Sequence, residues 1–111
     1  MDREINTCLY DILNSIEEIE SFLPDGQRIF EEYRKEIKTK RAIERNLEII
    51  GEAVARILKR DSQFEITQSR KIVDLRNRIV HGYDVISDEL IWGIIINDLP
   101  KLKSEIIELL K

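Results

Sequence analysis

Residues 43–58 read IERNLEIIGEAVARIL, and this stretch decides the fold. Its apolar positions recur at steps of three and four residues, at Ile43, Leu47, Ile50, Val54 and Ile57. Such spacing places the apolar side chains along one stripe of an α-helix. Ala53 and Leu58 widen the stripe, so we expect a long helix with a broad buried face. Gly51 lies within this helix and indicates a close approach by a second helix.

Stripes with similar spacing occupy most of the remaining chain, over residues 5–23, 29–37, 72–79 and 90–109. Pro24, Asp25 and Gly26 follow the first stripe and are expected to end its helix. The second stripe leads into the central stretch without a strong breaker. It therefore predicts either one long helix or two helices with a bend near residues 38–40.

The segment between the central stretch and the third stripe has the composition of a loop. Residues 61–69 are mostly polar, with Phe64 and Ile66 as their apolar residues. We expect a connecting loop that this apolar pair holds against the core. Gly82 directly follows His81 and predicts a left-handed C-terminal cap for the helix before it.

The last stripe carries its own start signal and one interruption. Ser87 precedes it and can act as the N-terminal cap of a helix. Pro100 lies inside it, and proline removes an amide donor and clashes with the preceding turn. We therefore expect a kink or a restart of the helix near Leu99.

The composition is typical of a single all-α domain over residues 1–111. Hydrophobic residues make up 42% of the chain and charged residues 36%, with four Gly and two Pro. These proportions suit amphipathic helices better than a turn-rich β-sandwich or a disordered chain. We found no internal repeat or low-complexity tract that would argue for a second domain.

Cysteine usage and hydropathy predict a cytoplasmic protein. Cys8 is the only cysteine, and a lone thiol fits a reducing compartment; we expect it to be a small core residue rather than a nucleophile. The N-terminus lacks the pattern of a signal peptide. No run approaches the roughly 20 apolar residues that span a bilayer, so we expect no membrane association.

The net charge of -4 gives the whole chain no electrostatic attraction for nucleic acid. RNA binding would therefore depend on local basic patches, which lie in residues 28–45 and 70–78. From charge pattern alone, these patches are more typical of a solvated helix face with salt bridges than of an RNA-binding surface. The arginines and lysines that we select as RNA-binding candidates are Arg45, Lys71 and Arg78.

The richest concentration of reactive side chains is residues 76–83, RNRIVHGY. His81, the only histidine, can accept and donate a proton near neutral pH, and Arg76 offers a fork of donors suited to a phosphate. Such groups can cleave RNA without a metal: a base activates the ribose 2′-hydroxyl, an acid protonates the leaving oxygen, and cations hold the developing charge. Since one histidine supplies one proton-transfer group, a symmetric dimer would supply the pair.

The spacing of these residues complicates a site within one chain. Five residues along an ideal helix turn the side chain roughly 140° beyond a full circle, so Arg76 and His81 do not share a face. Asn77 and His81 are four residues apart and do share one. Either the helix loosens in its last turn, or Arg76 and His81 come from different subunits. A structural alternative is that His81 only complements the negative end of the helix dipole.

The pattern Arg-x-x-x-x-His-x-Tyr, formed by Arg76, His81 and Tyr83, resembles the signature of the HepT-like branch of HEPN-domain proteins. Residues 45–53, RNLEIIGEA, are similar to the family's second signature helix, and residues 90–102 to its closing helix. The resemblance covers most of the chain from about residue 41 onward. One difference is that many relatives carry a tryptophan a few residues before the motif arginine; here Asp74 lies in that region and could pair with Arg76 or Arg78.

The resemblance implies a homodimeric, antiparallel, up-and-down bundle of four to five helices with a ribonuclease site in the dimer groove. It implies that Arg76 and His81 are catalytic, assisted by Asn77, in a metal-independent endoribonuclease that cleaves tRNA or mRNA. The protein would be the toxin of a type VII-like toxin-antitoxin system. Its partner would be a minimal nucleotidyltransferase antitoxin that transfers AMP from ATP onto Tyr83, where the added charge and bulk would repel RNA.

Metal and cofactor chemistry find little support in the sequence. The carboxylates have no His or Cys partners at metal-ligand spacing, so we expect neither a dedicated metal site nor a cofactor. Glu48 and Glu52, four residues apart, could at most orient arginines across a groove. The alternative function is a catalytically silent helical module that binds substrate or RNA for a nucleotidyltransferase, and a purely structural dimerisation bundle is a third possibility.

Overall fold

The computed structural model describes residues 2–23, 29–82 and 86–111, and all regular structure in these ranges is helical. The helices are α1 (Arg3–Ser21), α2 (Phe30–Lys35), α3 (Ile37–Arg60), α4 (Ser69–His81), α5 (Asp88–Gly93) and α6 (Leu99–Leu109). A π-helical segment, Ile94–Asp98, joins α5 to α6. The all-α prediction is confirmed. The breaker expected at residues 24–26 lies outside the described residues.

Helix α3 is the central element of the fold. It packs against α1 on one side and against α4 on another, while α6 covers α1. The side chains of its predicted stripe are buried, and they meet apolar residues of α1 and of the last helices. The largest fully buried side chains include Leu9, Ile12, Ile16, Ile43, Ile50, Ile57, Ile91, Ile95 and Ile106. The stripes read from the sequence therefore form one continuous core, except that Ile29 and Ile37 of the second stripe are exposed and only its Tyr33 is buried.

The junction between α2 and α3 is a break rather than a bend in one long helix. Glu36 separates the two helices with φ -94° and ψ 88°, values outside the helical region. The two-helix alternative is therefore confirmed, with its break shortly before the predicted position. Tyr33 of α2 is buried, and its ring stacks at an angle on Trp92 of α5, which attaches this short helix to the core.

The helical path continues through Pro100 with a change of hydrogen-bond pattern. The Leu99 amide donates to the Ile94 carbonyl five residues earlier, and α-helical structure restarts at Leu99. Proline cannot donate to the carbonyl four residues before it, so the pattern changes in the turn just ahead of it. The predicted restart near Leu99 is thus confirmed.

Smaller elements of the fold also follow the sequence signals. Ile66 is buried and Phe64 half-buried, so the loop after α3 is held against the core as expected. The Ser87 hydroxyl accepts a hydrogen bond from the Leu90 amide as an N-terminal cap. Cys8 is buried in the core, and burial raises the pKa of its thiol. Within the described part of the chain, no helix is both long and apolar enough to cross a bilayer.

Asp2 links the start of α1 to the end of α3, and its contribution to the stability of the fold depends on pH. Its carboxylate accepts hydrogen bonds from the Glu4 and Ile5 amides and from Arg60. The Ile5 amide and then Arg60 hold the pKa of Asp2 below its ordinary value of 3.8. A lowered folded-state pKa contributes stability above the ordinary pKa, and this contribution is lost as the pH falls through the lowered value.

We expect Asp2→Ala to lower the melting temperature near neutral pH, because it removes both the helix cap and the Arg60 partner. The difference from wild type should shrink in strong acid, where the wild-type carboxyl is protonated. Thermal unfolding followed by circular dichroism from about pH 7 down to about pH 1 measures this. A difference that stays constant across that range would contradict the assigned role.

Candidate active site

Helix α4 carries three of the residues singled out in the sequence: Arg76, Asn77 and His81. Its apolar residues point inward, where Leu75 is buried and Ile72 and Ile79 are half-buried against the core. Among the helices, α3 is the one against which α4 packs extensively. The polar residues of α4 therefore lie on flanks of the helix that are partly open to solvent.

Arg76 leaves α4 at the point where that helix comes closest to α3. Gly51 is buried there, and a Cβ added to it would overlap the Cβ of Arg76 and lie 2.9 Å from the Arg76 Cγ. The Ile72 carbonyl oxygen would be 3.1 Å away. The close approach expected at Gly51 is confirmed, and its partner is the stem of the candidate catalytic arginine.

Among the described residues, the guanidinium of Arg76 has one side-chain hydrogen-bond partner, and one of its donors is buried without an acceptor. Its Nη1 donates a hydrogen bond of 2.9 Å to Oδ1 of Asn77. Its Nε is buried and, among the described residues, finds no acceptor. The partner of Arg76 is thus Asn77 rather than the exposed Asp74 considered from the sequence. A buried donor without an acceptor carries a desolvation cost that the rest of the packing must offset.

His81 is the last residue of α4, and its side chain is exposed. Gly82 follows with φ 63° and ψ 22°, the left-handed conformation predicted for this cap. The Gly82 amide donates to the Arg78 carbonyl at 3.0 Å, four residues back, so α-helical bonding persists to the end. The structure contradicts a loosened last turn, and Arg76 and His81 leave one regular helix roughly 140° apart.

Two of the three RNA-binding candidates, Lys71 and Arg78, lie on α4 but do not share the flank of Arg76. Lys71 forms an ion pair of 2.8 Å with Asp98 and, with Arg78, lines a groove between α4 and the last helical region. Arg45 extends from α3 and pairs with Glu48 at 3.4 Å. Glu52 likewise pairs within α3, with Arg56. The carboxylates thus bind arginines of their own helix rather than Arg76.

A cavity of about 290 Å³ lies between α4, α3 and α6, and no pattern in the sequence predicted it. Its lining is mostly apolar, and two polar interactions connect residues on opposite sides of its rim. One link is the Lys71–Asp98 ion pair, and the other joins the Thr67 amide and hydroxyl to Glu105 at 3.1 and 2.9 Å. These partners are far apart in sequence, so no local pattern could have predicted them.

Two further sequence predictions concern modification and metal binding. Tyr83, the candidate acceptor of AMP, lies outside the described residues, as does Asp84. No group of three or more His, Cys, Asp or Glu side chains within ranges 2–23, 29–82 and 86–111 could hold a metal ion. On helix α4, Arg76, Asn77 and His81 contribute a guanidinium, an amide and an imidazole.

Comparison with known proteins identifies the family to which this chain belongs. The family described as "Ribonuclease HepT-like" matches residues 12–109. The chain therefore belongs to the HepT-like ribonuclease family, and the prediction of a ribonuclease from the sequence is confirmed at that level.

Individual relatives agree with the family match. A protein of Methanocaldococcus jannaschii, provisionally named as an RNase, is 36% identical over 98% of this chain and 89% of its own length. A second provisional RNase of that organism is 35% identical over 94% of each chain. A Thermococcus cleftensis protein, provisionally named ribonuclease HepT, is 33% identical over the full length of both. No solved structure gives a significant match.

Proposed function

We propose that the protein is a metal-independent endoribonuclease whose active site is completed by two copies of the chain. Arg76 binds the scissile phosphate and the charge that develops on it, His81 acts as general acid or base, and Asn77 positions the Arg76 guanidinium. The observation that carries this proposal is the regular helix α4, which directs Arg76 and His81 away from each other. A second copy can bring its own His81 to the Arg76 of the first.

The surroundings of Arg76 support its role as the phosphate binder. Its stem lies against α3 and one terminal nitrogen is held by Asn77, so the planar group has little freedom to lose when RNA binds. A guanidinium presented in a fixed plane suits the two oxygens of a phosphate. Such fixed donors stabilise the charge of the transition state without having to reorganise during the reaction.

The basic candidates differ in how they would contact RNA. Arg45 is well exposed and its ion pair with Glu48 is weak at the surface, so it is available to a phosphate. Lys71 already pairs closely with Asp98 across the cavity edge, and its contribution to RNA binding would be smaller. Arg78 is exposed and lies on the same groove as Lys71.

Mixing two inactive variants tests the composite site directly. Arg76→Ala and His81→Ala should each lower cleavage of end-labelled RNA by about 100-fold or more, with EDTA present throughout. Equal amounts, mixed and allowed to exchange subunits, give half heterodimers, in which one of two sites keeps both groups. Activity should therefore return to about a quarter of wild type.

The control mixes His81→Ala with a chain that carries both substitutions, since no such dimer contains an intact site and no activity should return. If the first mixture also stays inactive, the proposed pairing of one Arg76 with one His81 across the dimer is wrong, because the reaction then needs both groups from one chain or both His81 side chains at one site. If wild-type protein free of AMP cuts no RNA between about pH 5 and 9, the alternative of a silent RNA-binding module is correct.

The dimer interface is proposed to lie on the α4 flank that carries Arg76. Val80 is four residues after Arg76, which places it on the same face, and it is 44% exposed. An apolar residue beside a candidate catalytic arginine fits burial by a second chain. We expect that Val80→Glu shifts the protein from dimer to monomer in analytical ultracentrifugation and abolishes RNA cleavage.

Ile107→Glu is the matched control for this prediction, because Ile107 is exposed to a similar extent, 40%, but lies on α6. It should leave both the sedimentation and the cleavage rate unchanged. Equal dimerisation of the Val80→Glu protein and wild type would place the interface elsewhere on the molecule.

The regulatory part of the proposal is that the protein is the toxin of a toxin-antitoxin pair. A minimal nucleotidyltransferase antitoxin transfers AMP from ATP onto Tyr83, with release of pyrophosphate. Tyr83 follows the cap residue Gly82 and is two positions from His81, so an anionic adduct there would repel RNA from the site.

Co-expression with the neighbouring nucleotidyltransferase should raise the protein mass in steps of one adenylyl unit and remove RNA cleavage. Tyr83→Phe should prevent both effects while keeping the toxin active, because phenylalanine lacks the accepting hydroxyl. Intact-protein mass spectrometry measures the modification. An unchanged mass in the wild-type protein, or the same gain in Tyr83→Phe, would contradict the role of Tyr83.

A further inference from the structure

Gly51 occupies the closest approach of α3 to α4, and the space it leaves is filled by Arg76. A Cβ at this position would meet the Arg76 Cβ, the Arg76 Cγ and the Ile72 carbonyl oxygen. The first and last of these atoms are fixed to the α4 backbone, so no side-chain rotation can relieve the overlap. Any larger residue at position 51 must push α4 away from α3.

We propose that Gly51 is a positioning residue for Arg76, and that its missing side chain sets where the guanidinium enters the active site. This inference rests on the proposed role of Arg76 as the phosphate binder. Gly51 touches neither substrate nor reacting atoms, and it acts only through the stem of Arg76.

The contacts of Arg76 show how a displacement of its Cβ would move its guanidinium. From Cβ outward the side chain lies on α3, its Nε is buried, and its Nη1 is bonded to Asn77. A shift of α4 by about 1 Å would carry this assembly with it. Misplacement of that size in an active site can cost about 100-fold in rate.

Gly93 provides a matched control within the same chain. It is also a helical glycine, at the end of α5, and a Cβ added to it would meet nothing within 4 Å. Alanine is a better helix former than glycine, so Gly93→Ala should raise the melting temperature slightly. The same change at Gly51 should lower the melting temperature, because the overlap with Arg76 outweighs the gain in helix propensity.

The experiment measures the melting temperature and the kcat and KM of RNA cleavage for Gly51→Ala and Gly93→Ala, well below the lower melting temperature. We expect Gly51→Ala to reduce kcat by about 10- to 100-fold, and Gly93→Ala to leave it unchanged. Each substitution is then repeated in the Arg76→Ala protein. Alanine at position 76 keeps the Cβ, so Gly51→Ala should again lower the melting temperature, yet leave the residual rate unchanged.

The outcomes separate this inference from the proposed function. If Gly51→Ala keeps the wild-type kcat, or lowers the rate by the same factor with and without the Arg76 guanidinium, Gly51 has only a structural role and the inference is wrong. If Arg76→Ala itself cleaves RNA as wild type does, the proposed role of Arg76 fails, whatever Gly51→Ala does.

A stabilised variant and a second measurement keep the inference testable if Gly51→Ala does not fold alone. Adding Gly93→Ala to it restores part of the lost stability. In the unsubstituted protein, NMR hydrogen exchange should show the Arg76 Nε proton exchanging more slowly than those of the exposed Arg34 and Arg41, because that nitrogen is buried. Exchange at the same rate as in these arginines would overturn the inferred position of Arg76 against Gly51.

Discussion

The packing of α3 between α1 and α4 is the constraint on which the rest of the molecule depends. One side of α3 joins α1 in the core, and another meets α4 so closely that a glycine is required at the contact. Because α4 carries the candidate site, the separation of these two helices fixes the site's position relative to the core. Core stability and site geometry are therefore set by the same helix.

Helix α4 is supported unequally on its two sides. Against α3 it packs closely, from Gly51 to Arg76, whereas toward α6 it faces an apolar cavity with two polar links across its edges. Interhelical contact without voids gives more cohesion than side-chain links at a surface. The flank of α4 that holds Arg76 is thus the more firmly fixed one, and the proposed phosphate binding by Arg76 would require such preorganised donors.

The regularity of α4 has a direct chemical consequence. A helix that keeps its hydrogen bonds to the last residue cannot turn Arg76 and His81 to one side, however favourable that would be for catalysis. In the proposed dimer the two groups would come from different chains, and the helix would not have to be strained.

The sequence by itself determined the helices and the Gly82 cap, because periodic burial and glycine's access to the left-handed region are local properties. It also singled out residues 76–83 as the candidate reactive stretch. Only the tertiary structure decided the break at Glu36, the cavity beneath Lys71 and Asp98, and the seat of Arg76 on Gly51. These features depend on which surfaces meet when the helices pack, and residues far apart in sequence share no local signal of that meeting.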